Sequence, residues 1–98
     1  MGKYYKLHSL GDGVAAYTVE DIQPANGTDY ELEELQGYVD GLIEIVPLTD
    51  GEIMVVNEEG YINDLPLNPL ATAIFQNATG SKEYILGNVV VCRDNEVL

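Results

Sequence analysis

Six polar or turn-forming residues near the middle of the chain have the types and the spacing that a binding site requires. Four of them form a turn-like tetrapeptide and two lie at a predicted helix start: Asn57, Glu58, Glu59, Gly60, Asn68 and Thr72. Turns and helix starts offer polar side chains and free backbone N–H donors to a ligand or a partner. A structural role is the alternative, because Asn57 and Gly60 suit turn geometry, Asn68 suits a helix cap, and a Thr hydroxyl can bond back to its own helix.

No combination of residues predicts catalysis or a bound metal ion. Glu58 and Glu59 are adjacent in a turn, so their carboxylates should diverge instead of forming an acid/base pair. Cys92 and His8 are the single cysteine and the single histidine, and both fall in predicted strands, which favours a buried thiol. The acidic residues lack the D-x-D-x-D-G spacing of a calcium loop. We therefore predict a protein without enzymatic activity, metal or cofactor.

The charge of the chain is strongly acidic and unevenly distributed. The formal net charge is −13, and the chain has no Lys or Arg between residues 7 and 81, where all but three of its 17 acidic residues lie. This surface should repel nucleic acids and anionic membranes, because repulsion replaces counterion release, and should attract a basic protein surface. Alternatively, the charge only keeps the protein soluble. The residues that we expect to form the acidic surface are Glu31, Glu34, Glu44, Asp50, Glu52 and Asp64.

Length and composition indicate one domain over residues 1–98. With 46% hydrophobic residues the chain can bury a modest core, and homo-oligomerisation through an exposed sheet edge would add to it. No stretch approaches the roughly 20 apolar residues of a membrane span, and the N-terminus does not resemble a secretory signal. The single cysteine suits a reducing compartment. We expect a cytoplasmic protein.

The residues of the proposed site are positioned by a β-hairpin over residues 42–60. Two apolar runs flank Thr49, Asp50 and Gly51, and a glycine that closes a three-residue loop can take the left-handed conformation required there. The hairpin ends at the Asn57 to Gly60 turn. We then predict a brief strand at Tyr61 and Ile62, and a second helix that starts at Asn68 with Pro69 in its first turn.

Other patterns predict the remaining elements. Residues 3–8 and 14–22 are rich in β-formers and predict an N-terminal hairpin with a turn at residues 11–13. Thr28 and Glu31 match a capping box that would start a first helix near residue 29 or 30, and Gly41 is placed to end it. Residues 84–92 predict a final strand that is central and covered on both faces. The expected fold class is α+β, a mostly antiparallel sheet of about five strands with two short helices on one face.

Several short motifs, in order along the chain, resemble a known family. They are Leu32 to Gln36, Val39 to Pro47, Val56 to Gly60, Leu65-Pro66 with Asn68 and Ala71-Thr72, and Gly87 to Val91. The family is domain of unknown function 3846, which is seen mainly in bacteriophages, prophages and plasmids. The resemblance covers about residues 30–92 and leaves the N-terminal hairpin, residues 1–23, outside it. It implies an accessory protein of a mobile element and implies no activity.

Two functions follow as hypotheses. In the first, an accessory protein of a phage or another mobile element binds and blocks a host protein with a basic surface, for counter-defence or host take-over. In the second, the protein is a sponge that sequesters a small nucleotide-derived immune signal at a subunit interface. The sponge would use the turn N–H groups around Asn57 and Asn68.

Overall fold

Five antiparallel strands and two α-helices make up the computed structural model, which describes residues 2–11 and 14–97. The α+β class and the antiparallel sheet predicted from the sequence are therefore confirmed. A short 3-10 helix, Asp94–Glu96, follows the last strand. In chain order the other elements are β1 (Gly2–Gly11), β2 (Val14–Ile22), α1 (Leu32–Val39), β3 (Ile43–Pro47), β4 (Glu52–Asn57), α2 (Pro69–Thr79) and β5 (Val89–Arg93).

The strand order across the sheet is β2-β1-β5-β4-β3, so the final strand is central, as expected. β5 pairs with β1 through Tyr5 and Val89 and with β4 through Met54 and Val91. Its first four residues are all buried, which explains why this strand shows no apolar and polar alternation. β2 and β3 are the two edges of the sheet.

The two helices lie on opposite faces of the sheet, so our expectation of both on one face was wrong. Consecutive strand residues point to opposite faces, and β4 is buried on both. Val55 therefore packs in one core with Leu35 of α1, while Met54 packs in a second core with Ala71 and Phe75 of α2. Each apolar face needs its own cover, because a single helix layer would leave the other face in water.

The N-terminal hairpin forms as predicted, but it extends beyond the sheet. Strands β1 and β2 pair along nearly their whole length, whereas β1 pairs with β5 only through Lys3, Tyr4 and Tyr5. Past this point the Leu7 N–H donates to Asn88 Oδ1 over 2.8 Å. The predicted turn at residues 11–13 includes two residues that lie outside the described part of the chain.

The start of α1 differs from the predicted capping box. The helix begins at Leu32, and its N-cap Glu31 makes no side-chain cap bond. Asn26 Oδ1 instead accepts the N–H groups of Thr28 and Asp29 over 2.8 and 2.9 Å, which holds this segment in a turn. Tyr30, fully buried, bridges to the end of the chain, so the residues before Glu31 are unavailable to a helix.

The chain after β4 forms consecutive turns, and the brief strand predicted at Tyr61 and Ile62 is absent from this described segment. Both side chains are exposed, at 70% and 80%. The predicted α2 is confirmed, with Pro69 in its first turn and Asn68 Oδ1 accepting the Ala71 N–H over 3.1 Å. Of the helices formed by residues 2–11 and 14–97, none is long and apolar enough to cross a membrane.

Candidate functional site

A cleft of about 100 Å³ lies on the α2 side of the sheet, where the edge strand β3 and the turn after β4 meet the segment before β5. We call it the acidic cleft. Its lining consists of Glu44, Val46, Val56, Asn57, Glu58, Gly60, Tyr61, Phe75, Glu83, Tyr84, Ile85 and Leu86.

Strand alternation decides which side chains of β3 reach the cleft. Ile43 packs against the core under α1, whereas Val46 packs against the core under α2. Glu44 is an even-numbered position like Val46, so it shares the α2 face, and it pairs across the strands with Val56. An exposed carboxylate thus stands beside a buried aliphatic side chain at the edge of the sheet.

The acidic cleft has an apolar floor and a carboxylate rim. Phe75 and Ile85 are 8% exposed and supply the floor together with Val56. The rim carries three exposed carboxylates and two exposed tyrosines, and none of the described residues that line the cleft is a Lys or Arg. The rim residues are Glu44, Glu58, Glu83, Tyr61 and Tyr84.

The two tyrosines are fixed relative to each other. The Tyr61 hydroxyl donates to the Tyr84 carbonyl oxygen over 2.9 Å, which links the turn after β4 to the segment before β5. Tyr61 and Tyr84 are 70% and 59% exposed, and the neighbouring Ile62 is 80% exposed. We call Tyr61, Ile62 and Tyr84 the aromatic patch. Exposed apolar side chains that lie beside a cleft are a candidate contact surface.

Asn57 lines the acidic cleft, but its amide is occupied by the chain itself. Asn57 Oδ1 accepts the Glu59 N–H over 2.8 Å, and Nδ2 donates to the carbonyl oxygens of Val39 and Asp40 over 3.1 and 3.4 Å. These carbonyls end α1 and need partners outside the helix. A Cβ at Gly41 would lie 2.7 Å from Asn57 Nδ2, so this contact explains the glycine there.

The backbone N–H groups of the turn are also bonded within the chain. The Glu58 N–H donates to the Leu42 carbonyl over 2.8 Å, and the Gly60 N–H donates to the Asn57 carbonyl over 3.3 Å. The Glu59 N–H has its partner in Asn57 Oδ1. These are the donors that a nucleotide-like ligand was expected to use, and each already has an acceptor.

Asn68 and Thr72 join α2 to the segment before β5. Asn68 is fully buried, and its Nδ2 donates to the carbonyls of Gly87 and Tyr5 over 2.9 and 3.4 Å while Oδ1 caps the helix. Thr72 Oγ1 accepts the Ile85 N–H over 2.9 Å, and does not bond back to its own helix. Among the described residues every buried side-chain N or O atom has a partner.

The structure therefore brings only part of the predicted set together. Asn57, Glu58 and Gly60 line the acidic cleft, while Glu59, Asn68 and Thr72 are not part of its lining. Of the predicted acidic surface, Glu44 lies at the cleft. The others belong to separate elements, with Glu31 and Glu34 at α1, Asp50 and Glu52 where β4 begins, and Asp64 in the turns after β4.

Tyr61, Phe75, Glu83 and Tyr84 are among the lining residues that were not predicted from the sequence. We assigned Tyr84 to the last strand, but Gly87 has a positive φ of 82° and the strand starts only at Val89. A Cβ at Gly87 would lie 2.8 Å from Leu65 Cδ1. The glycine was the available signal, because a position of this kind marks a break or a close approach within a strand pattern.

Two buried groups in the core have strongly raised pKa values. Burial raises the pKa of the Tyr30 hydroxyl to about 12 and that of the Cys92 thiol to about 11. Cys92 is 2% exposed, in line with the buried thiol expected from the sequence. In residues 2–11 and 14–97 no group of three or more His, Cys, Asp or Glu side chains is arranged to hold a metal ion.

Comparison with known proteins identifies one family. The family model described as domain of unknown function (DUF3846) matches residues 14–97. The match includes β2, beyond the residues 30–92 that carry the resemblance, while β1 precedes it. No curated protein and no solved structure matches the chain. Because the matched region covers most of the 98 residues, the chain belongs to the DUF3846 family.

Proposed function

We propose that this protein is a non-enzymatic binding protein whose acidic cleft and aromatic patch receive a basic segment of a partner protein. The observation that carries the proposal is the combination of an apolar floor, three exposed aromatic or aliphatic side chains and a rim of carboxylates without a base. Protein interfaces combine these parts, with buried aromatic anchors at the centre and charged groups around them.

The cleft suits a Lys or Arg side chain of the partner. Such a side chain has an apolar stem and a charged head. The stem would lie over Val56, Phe75 and Ile85, while the head meets Glu44, Glu58 or Glu83 at the rim. The cleft volume of about 100 Å³ is of the size of one long side chain. The aromatic patch would then contact apolar residues on either side of that anchor.

The partner that we propose is a host protein with a basic surface, bound in the host cytoplasm by a protein of a phage or another mobile element. The role that we propose for this binding is counter-defence or host take-over. The support for this part is the net charge of −13 and the sequence resemblance described above.

The nucleotide sponge is the weaker candidate. Its donors around Asn57 and Asn68 are bonded within the chain. The four basic residues that would have to converge on a phosphate do not line the acidic cleft, and Lys3 is paired with Asp21 over 2.6 Å. The other three are Lys6, Lys82 and Arg93.

The test compares two variants with the same change in charge. Glu44→Gln, Glu58→Gln and Glu83→Gln together neutralise the cleft, and Glu31→Gln, Glu33→Gln and Asp64→Asn together neutralise three exposed carboxylates elsewhere. The wild type and both variants are immobilised on a resin and incubated with host lysate. The captured proteins are then identified after washing at low and at high salt. We expect the wild type and the control to retain a basic partner that the cleft variant loses, with binding that weakens as salt rises.

Replacing the aromatic patch separates contact from charge. Tyr61→Ala with Tyr84→Ala leaves the net charge unchanged and should weaken binding of the captured partner at least about tenfold, because aromatic anchors dominate interface energies. If the cleft variant and the control variant lost the partner equally, binding would depend on net charge alone, and the proposed role of the cleft would be contradicted. A rise in melting temperature with nucleotides or cyclic nucleotides would favour the sponge instead.

A further inference from the structure

The two edges of the sheet are protected to different degrees. β3 has five residues and carries Glu44 and Pro47, both of which discourage pairing with another strand. β2 has nine residues and no Pro or Lys, its two carboxylates lie near its end at Glu20 and Asp21, and its outer edge meets no other strand of the described chain. A long edge of this kind is a template for strand addition.

The bonding pattern identifies which β2 residues point their backbone outward. The Leu7 N–H donates to Asn88 Oδ1, so it points away from β2. Leu7 is the cross-strand partner of Tyr17, and in such a pair both residues point their N–H and C=O groups away from each other. Tyr17 and, by alternation, Val19 therefore present their backbone N–H and C=O groups at the free edge.

The same part of β2 exposes apolar side chains. Tyr17 and Val19 are 45% and 44% exposed, and both lie on the α2 face. The hairpin beyond Tyr5 has only two strands, because β5 pairs no further along β1. A two-stranded ribbon is marginally stable in water, and a third strand along β2 would support it.

We propose that β2 pairs antiparallel with β2 of a second copy of this chain, about a two-fold axis at Thr18. This register pairs Tyr17 with Val19 of the second copy, and Thr18 with its own counterpart. Tyr17 and Val19 then exchange both backbone hydrogen bonds, and aromatic with β-branched pairs and Thr with Thr pairs are favourable across strands. The two five-stranded sheets become one continuous sheet.

The distribution of charge along β2 is compatible with this self-pairing. Residues 14–19 are uncharged, and the two carboxylates of the strand follow at Glu20 and Asp21. In the antiparallel register Glu20 stands opposite Ala16, and Asp21 opposite Ala15, so no carboxylate faces another. Like charges directly opposite would have been unfavourable. The strand therefore complements itself, although the whole molecules repel each other through their net charge.

This self-association is independent of the proposed function. The acidic cleft lies beside β3, at the edge of the sheet opposite β2. Salt also acts in opposite directions. Screening weakens the attraction between the cleft and a basic partner, whereas it removes the repulsion between two acidic copies and strengthens the dimer. Each proposal can therefore fail without the other.

The test is sedimentation velocity of the full chain over a range of concentrations, in low salt and in about 0.5 M NaCl. We expect a monomer that converts to a dimer as concentration and salt rise. Val19→Pro removes an outward N–H without removing a bond to β1, and should weaken the dimer about tenfold or more. Val19→Thr keeps the N–H and the side-chain shape, and should dimerise like the wild type.

A second pair of variants keeps the test decisive if Val19→Pro does not fold. Thr18→Glu places two carboxylates opposite each other at the axis and should abolish the dimer, while the neutral Thr18→Gln should preserve it. A chain that stays monomeric at every concentration in high salt would overturn the proposal. So would a dimer that neither Val19→Pro nor Thr18→Glu weakens, or an edge that pairs only with an added basic peptide.

Discussion

At the scale of single residues, the polar side chains that drew attention in the sequence mostly hold the fold together. Asn57 connects the turn after β4 to the end of α1, and Gly41 leaves the space for it. The side-chain amide of Asn57 could have bound a ligand, but its Nδ2 donates to the carbonyl oxygens of Val39 and Asp40. A buried polar side chain of this kind is more often a structural hydrogen-bonding group between two elements than part of a binding site.

Gly41→Ala should destabilise the protein by about 1–3 kcal/mol, because its Cβ displaces an amide that is already hydrogen-bonded. Urea denaturation measures the change. Asn57→Ala alone should cost a similar amount, and the double variant should cost less than the sum, since both changes break one junction. Gly37→Ala is the matched control. Nothing lies within 4 Å of its Cβ, so it should stabilise α1 by about 0.5–1 kcal/mol.

The Tyr30 hydroxyl should make the free energy of unfolding depend on pH in the alkaline range. Its pKa is raised by burial from 10.0 to about 12, so the folded state holds the proton that the unfolded state releases. The stability from this group is complete below pH 10 and is lost as pH rises towards 12. We expect urea midpoints to fall in this range. Tyr30→Phe should show a shallower fall, and an identical fall would contradict this assignment.

At the scale of elements, α2 is attached to the segment before β5 through the side chains of Asn68, Thr72 and Gln76. Asn68 caps the helix and also bonds to Gly87 and Tyr5, while Thr72 pairs with both backbone groups of Ile85. The sequence predicted the cap, because Asn followed by Pro is a local signal. It did not predict the bonds to residues 85–87, because nothing local records which segment packs against a helix start.

Two substitutions of Asn68 separate these roles. Asn68→Asp keeps the oxygen that caps α2, but it places a carboxylate at a fully buried position and sets a second acceptor against the carbonyls of Gly87 and Tyr5. It should destabilise the protein by about 3 kcal/mol or more. Asn68→Ala loses the cap and leaves both carbonyls without this donor, and should cost about 1–3 kcal/mol. Circular dichroism during urea unfolding measures both. If Asn68→Asp matched the wild type, only the cap would matter.

At the scale of the whole molecule, β1 is essential to a sheet whose family match begins only at residue 14. β1 separates β2 from β5, so without it β2 has no partner in the described chain and β5 loses one side. Tyr4 and Tyr5 also enter the two cores, one on each face. The sheet thus includes one strand, β1, that precedes the matched region.

A chain that starts at Val14 should therefore fail to fold cooperatively. It loses the pairing of β5 at Val89 to Val91 and two buried aromatic rings. Amide dispersion in NMR spectra and a thermal melt provide the measurement, with the full chain as the reference. A truncated chain that retained dispersed spectra and a sharp melt would show that residues 14–98 fold alone.

The sequence by itself determined the elements with strong local signals. The β3–β4 hairpin, the Asn68-Pro69 helix start and the central last strand follow from turn residues, a cap and an unbroken apolar run. Local signals failed where distant residues competed for the same atoms. Thr28 suited a capping box, but Asn26 took its N–H, and the partnership of Tyr30 with the chain end delayed α1.

Only the tertiary structure decided how these elements face one another. Whether the two helices share a face depends on which side of β4 and β5 each one covers, and this cannot be read from either helix alone. The acidic cleft likewise joins Glu44, Glu58 and Glu83, which are far apart in the chain. The sequence shows that the chain is acidic. Long-range packing decides that three of its carboxylates lie around an apolar floor.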